Sequence, residues 1–184
     1  MTSLLDRILR WLRLRKIRPH IPHGAVLCDV GCGPHAQLLR DLAGYIKWGV
    51  GLDKKVGEGS LGNISLKTIL VDDKLPLPDK SMDVVTLLAV LEHLEKPVEI
   101  LKEIKRILKD GGTLLITVPT PFNRPFGEFL SRFDKALKSE YEDHKRYYSK
   151  KSLSDHLVKA NFNLNNTEMK YFELYMNLFA KVIN

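Results

Sequence analysis

From residue 25 onward, short apolar runs rich in β-branched residues alternate with stretches of helical periodicity, and turn residues separate them. No other feature constrains the fold as much. Alternation of this kind marks βαβ units, in which parallel strands are joined by helices that cover the sheet. Strands are predicted at 25–30, 48–52, 68–71, 83–88, 113–118, 162–168 and 171–182. Helices are predicted at 36–45, from Pro97 to about Leu108 with Gly111 and Gly112 as its stop, and from an N-cap at Ser149 or Ser152 to about Ala160. The expected fold is α/β: a doubly wound, mostly parallel, seven-stranded sheet with helices on both faces.

Residues 3–16 precede this pattern and read as an amphipathic helix. Leu4, Leu5, Ile8, Trp11 and Leu12 share one face and Arg7, Arg10 and Arg13 the other, with Pro19 and Pro22 as the stop. The net charge of +7 is concentrated here: six of the 29 basic residues, but one of the 22 acidic ones, fall in the first 18 positions. The remainder is nearly neutral, which argues against a nucleic-acid partner. Arg15 interrupts the apolar face, so packing on the body is favoured over peripheral membrane contact through residues 3–16. Arginines also break the leucine-rich start too often for a secretion signal, and no segment is apolar enough to span a bilayer, so a cytoplasmic protein is expected. At 184 residues the chain suits one domain, 1–184, with residues 1–22 as a basic N-terminal helix and 119–148 as a covering segment. Cys28 and Cys32 read as reduced packing residues, and no metal set is spaced for binding.

The chemistry concentrates in VLCDVGCGPH, an apolar strand followed by Gly31, Cys32 and Gly33 and then a helix. Glycines permit a sharp turn and close approach of a ligand to the backbone. Gly31, Gly33 and Ala36 also satisfy the dinucleotide fingerprint, with Asp53 about 20 residues on, so a nicotinamide oxidoreductase competes as a reading. Asp29 weighs against it, because a carboxylate beside the turn repels a pyrophosphate and favours a cationic ligand.

DVGCG, then GVGLD, then VDDKLPLPDKSMDVVTLLAVLEHL, and later HKRYYSKKSLSDHLVKANF, together resemble the class I S-adenosylmethionine-dependent methyltransferases, in their type 11, small-molecule branch. The resemblance covers about residues 24–183 and implies a Rossmann-like fold with S-adenosylmethionine as cofactor. It implies that Asp29, Gly31, Cys32 and Gly33 surround the methionine end, that Asp53 with Lys54 meets the ribose, and that Asp72 or Asp73 meets the adenine. Ala89 would offer its carbonyl to the cofactor's ammonium. His93, His144 and Tyr147 are the candidate substrate contacts. No residue is assigned as general base, and the acceptor is expected to be a small or lipid-linked molecule. A third reading is a methyltransferase-like binding protein without activity.

Overall fold

Four largely buried parallel strands make the centre of the molecule because their residues are mostly apolar on both faces, as parallel strands covered by helices require. The computed structural model describes residues 11, 12, 14–71, 74–123 and 145–184. In it, strands β1 (Val26–Val30), β2 (Trp48–Asp53), β3 (Gly59–Leu61), β4 (Ile64–Thr68), β5 (Met82–Leu88), β6 (Leu108–Pro119), β7 (Thr167–Phe172) and β8 (Asn177–Ile183) form one sheet. The order is β3-β4-β2-β1-β5-β6-β8-β7. Strands β4, β2, β1, β5 and β6 run parallel. Strand β8 is antiparallel to both β6 and β7, and β3 is antiparallel to β4.

The sheet separates two apolar layers. On one face Cys28, Val30, Val85, Leu87, Ile116 and Val118 pack against helices α2 (Pro97–Ile107) and α3 (Lys150–Lys159). In α2, Pro97, Ile100, Leu101, Ile104 and Ile107 are buried, a stripe at helical spacing that fixes which side faces the sheet. Helix α3 starts at a capping box in which the Ser149 hydroxyl accepts from the Ser152 amide (3.1 Å) and the Ser152 hydroxyl accepts from the Ser149 amide (2.9 Å). On the other face Leu27, Val84, Leu115 and Phe179 pack with Leu39 and Leu42 of helix α1 (Gln37–Leu42). Ile17 and Ile21 of the N-terminal segment complete this layer, with Ile17 fully buried. No helix of the described residues is long and apolar enough to cross a membrane.

Several boundaries differ from expectation, each for a local reason. An eighth strand, β3, folds back on β4 within the glycine-rich loop, where Gly62 (φ +58°) makes the reversal. The strand expected at 68–71 lies at Ile64–Thr68, a run whose only fully buried side chain is Ile64, so hydrophobicity gave a weak signal there. Gly111 and Gly112 do not stop α2, which ends as Leu108 turns extended and pairs with Met82. The glycines instead sit at the irregularity where β6 skips from the Met82–Leu108 pair to Val84–Thr113. Helix α1 is shorter than predicted: left-handed Ala36 (φ 45°) starts it one residue late, and it ends at Leu42, three residues early. The last two strands are displaced toward the C-terminus: a 3₁₀ turn at Leu164–Asn166, capped by Asn163, occupies part of the predicted strand. Left-handed Glu173, Leu174 and Tyr175 then set the break between β7 and β8. Residues 3–10 of the predicted N-terminal helix and residues 124–144 of the expected covering segment lie outside the described residues; residues 11, 12 and 14–17 are helical.

Candidate active site

The carboxyl ends of β1, β2 and β5 meet at the centre of the sheet, where open α/β folds bind their ligands. Gly31 and Gly33, with φ +78° and +70°, reverse the chain after β1 in a conformation costly for other residues. The amides of Gly31 and Cys32 both donate to the Leu52 carbonyl (2.7 and 3.2 Å). The Asp53 carboxylate at the end of β2 accepts from the Gly33 amide through Oδ2 (2.9 Å) and from the Lys55 amide through Oδ1 (2.7 Å). Turn and strand end are thus held as one unit, with the Asp53 carboxylate at its rim.

Asp29 is 4% exposed and pairs in register with Thr86 on β5, whose hydroxyl donates to Asp29 Oδ1 at 2.6 Å. Burial raises the Asp29 carboxyl to about 6; the Thr86 bond opposes that rise and the Asp53 charge adds to it. A buried carboxylate held above its usual range favours a cation placed beside it. The Cys32 thiol is pushed up to about 12, chiefly by burial and further by Asp29 and Asp53, and remains protonated. Both cysteines are free.

Past β5 the chain turns at Ala89, which is left-handed (φ 54°) and donates its amide to the Thr117 carbonyl (2.9 Å). The turn lays Val90 over Gly31, so closely that a Cβ on Gly31 would stand 2.2 Å from Val90 Cγ2. Two cavities share Gly31. One, of about 300 Å³, is lined by Asp53, Lys54, Val71, Ala89, His93 and Lys145 among others. The second, of about 170 Å³, is lined by Asp29, Cys32, Gln37, Leu38, Leu88 and Leu14 among others.

Of the residues singled out in the sequence, Gly31, Asp53, Lys54, Ala89 and His93 therefore line the larger cavity, and Asp29, Gly31 and Cys32 the smaller. Gly33 is tied to the larger cavity through Asp53. Tyr147 is half-buried and lines neither cavity. Asp72, Asp73 and His144 lie outside the described residues, although their neighbours Val71 and Lys145 line the larger cavity. Sequence reasoning missed Thr86, Val90, Lys145 and Leu14. Thr86 left a signal, as the one hydroxyl in the apolar run VVTLL; the other three reach the site through tertiary packing that no local pattern announces.

A parallel sheet with this strand order, a glycine turn after its central strand and an acid at the end of the next define a nucleotide-cofactor α/β protein. Comparison with known proteins narrows the class: the family described as "Methyltransferase domain" matches residues 2–167, and the chain belongs to it. Similar curated proteins include a tRNA U34 carboxymethyltransferase of Desulfotalea psychrophila, 30% identical over 131 residues that cover 65% of this chain and 40% of that protein. The ubiquinone/menaquinone biosynthesis C-methyltransferase UbiE of Pseudomonas paraeruginosa is 36% identical over 103 residues, covering 54% of this chain and 38% of that protein. The chain thus spans about two fifths of the length of these relatives. A crystal structure described as a SAM-dependent methyltransferase from Archaeoglobus fulgidus shares the fold, with a TM-score of 0.72 at 19% identity over 97% of this chain and 94% of that one. The family expected from the motifs is the family found, and the nicotinamide reading gains no support.

Proposed function

We propose that this chain is an S-adenosylmethionine-dependent methyltransferase, working as one domain on a small-molecule acceptor. The observation that carries the reading is the pair of carboxylates flanking the glycine turn, Asp29 buried on one side and Asp53 at the rim on the other. A dinucleotide would bring its pyrophosphate against Asp29, whereas Asp53 suits the ribose of either cofactor. S-adenosylmethionine has no phosphate, and its cationic end suits the buried Asp29. The donor set fits it further: Asp53 retains acceptor capacity on both oxygens for two ribose hydroxyls. A Cβ at Gly33 would meet nothing within 4 Å, so the turn is open on its outer side. Asp72 or Asp73, next to Val71, would serve the adenine, and the Ala89 carbonyl, beside the Leu88 that lines the smaller cavity, the ammonium.

The cofactor supplies an electrophilic methyl on a sulfonium that leaves as a neutral thioether. The protein's task is to align the acceptor with that methyl and exclude water, which supplies roughly 7 to 11 kcal/mol in well-oriented reactions. The rigid β1 turn fixes one partner, while His93, at the wall of the larger cavity, stands where an acceptor or its proton would be met. His144 and Tyr147 remain substrate-contact candidates by resemblance alone.

Calorimetry with S-adenosylmethionine and with NAD tests the reading: S-adenosylmethionine is expected to bind and NAD is not, and the reverse result overturns it. The nearly neutral body favours a small acceptor over nucleic acid, whereas one relative is named for a tRNA. Transfer of labelled methyl groups to bulk tRNA, with none to a small-molecule extract, would replace the acceptor class and leave the cofactor reading intact.

A further inference from the structure

The smaller cavity has a wall that does not come from the sheet. Leu14, on the N-terminal helical stretch, faces Asp29, Gly31, Gln37, Leu38 and Leu88 across it. Its position is set by anchors directly downstream. Ile17, one helical turn on, is fully buried. The Lys16 ammonium lies 5.3 Å from the Phe179 ring centre, the His20 ring stacks on the same ring at 5.4 Å, and the Arg18 guanidinium stands 4.5 Å above Tyr45. The segment is therefore fastened to β8 and to the turn after α1.

Size and charge divide the two cavities between the halves of an S-adenosyl ligand. About 170 Å³ is close to the roughly 150 Å³ that admits a benzene-sized group, so the smaller cavity takes an aliphatic amino-acid chain but not a nucleoside. Its charged lining groups are Asp29 and Asp41, both carboxylates, which favour the ammonium of that chain over its carboxylate as the group placed beside them. The larger cavity has the Asp53 carboxylate at its rim and nearly twice the volume, as a nucleoside needs.

We infer that Leu14 closes the amino-acid end of the cofactor site, so that the N-terminal segment makes the site prefer the complete cofactor to a nucleoside lacking the amino acid, such as 5′-methylthioadenosine. This inference rests on the reading of the pocket as an S-adenosylmethionine site. Leu14 is then a specificity-determining residue that touches the aliphatic chain of the ligand, with no part in the nucleoside half.

The test is calorimetry on the full chain with S-adenosylhomocysteine and with 5′-methylthioadenosine, for the wild type, Leu14→Phe and Leu14→Ala. Phe fills the small cavity and is expected to weaken S-adenosylhomocysteine at least about tenfold, with 5′-methylthioadenosine changed less than about twofold. Ala removes the wall without adding bulk and is expected to cost S-adenosylhomocysteine roughly three- to tenfold, again sparing the nucleoside. Thermal melts identify a variant that fails to fold, and the Ala variant carries the same discrimination if Phe does so. Equal loss of both ligands, loss of neither, or a wild type that binds both ligands equally well overturns the inference alone. A wild type that binds neither ligand overturns the cofactor reading and the inference together.

Discussion

Burial of a carboxylate at the ligand-binding end of β1 makes both stability and binding respond to pH. Folded Asp29 titrates near 6, above its ordinary 3.8, so between those values the folded protein holds a proton that the unfolded chain has released. Stability of the ligand-free protein therefore falls as pH rises from about 4 to about 6 and is level beyond. Binding has the opposite sign. A cation beside Asp29 favours the ionised form, so affinity for S-adenosylmethionine is expected to rise as pH passes upward through 6 and to plateau above. Asp29→Asn should flatten that profile in calorimetry at several pH values, lower the plateau affinity, and raise the melting temperature of the ligand-free protein at alkaline pH. A wild-type profile that is flat from pH 5 to 8 would separate Asp29 from the ligand. Asp53 acts differently, through bonds to hydroxyls worth roughly 1.5 to 3 kcal/mol for each charge-assisted contact. Asp53→Ala is expected to weaken S-adenosylmethionine at least about tenfold. Part of that loss comes from releasing the Gly33 amide it now holds, and unchanged affinity in the same titration would show that Asp53 does not face the ribose.

At the scale of elements, residues 75–79, ahead of β5, are held by two side chains of α2, Arg106 and Glu103. The Arg106 guanidinium donates to the Leu75 and Leu77 carbonyls (2.9 Å each), to Asp79 (2.6 Å) and to Glu103 (2.7 Å), and Glu103 in turn accepts from the Leu75 amide (2.9 Å). Lysine cannot reproduce that fork. Arg106→Ala is expected to cost about 2 kcal/mol in urea denaturation, and Arg106→Lys most of the same; a loss below about 0.5 kcal/mol would mean that water replaces the bonds. The helix carrying Arg106 was legible in the sequence because five buried residues repeat at its period, and so were β1, β2 and β5, whose short runs are largely apolar. The N-cap at Ser149 was legible as one of two serines. Strands β4 and β7 were less so, since both lie toward the sheet's edges and carry polar side chains at alternate positions, which resembles loop composition. In the site, the turn residues could be read from their spacing along the chain. Leu14 could not, because its role is created by an N-terminal segment meeting β1 and β5 in space.

At the scale of the whole molecule, that segment completes one of the two apolar layers. Removing residues 1–18 would uncover part of the layer on Leu27, Leu115 and Phe179 and take away Ile17, whose burial is worth roughly 1.5 to 3 kcal/mol. A fall of about 3 to 12 °C in melting temperature is expected for a chain of this size, measured by calorimetry. Neither form is expected to sediment with anionic vesicles, and salt-sensitive sedimentation of the full chain alone would make the segment a membrane anchor instead. The placement of β1 has a further consequence, for how the protein comes into being. Its neighbour on one side, β2, follows within about twenty residues, but the other, β5, begins at Met82, and β6 and β8 come later still. During synthesis the most apolar strand of the sheet must wait with one edge bare while more than fifty further residues are made, the interval in which unpaired strand edges recruit other chains. A fragment ending at Lys80 is accordingly expected to pellet on centrifugation, whereas one extended through Pro119 should show a larger soluble fraction. The order in which the strands leave the ribosome then bears on how much soluble protein is made, apart from their stability once paired.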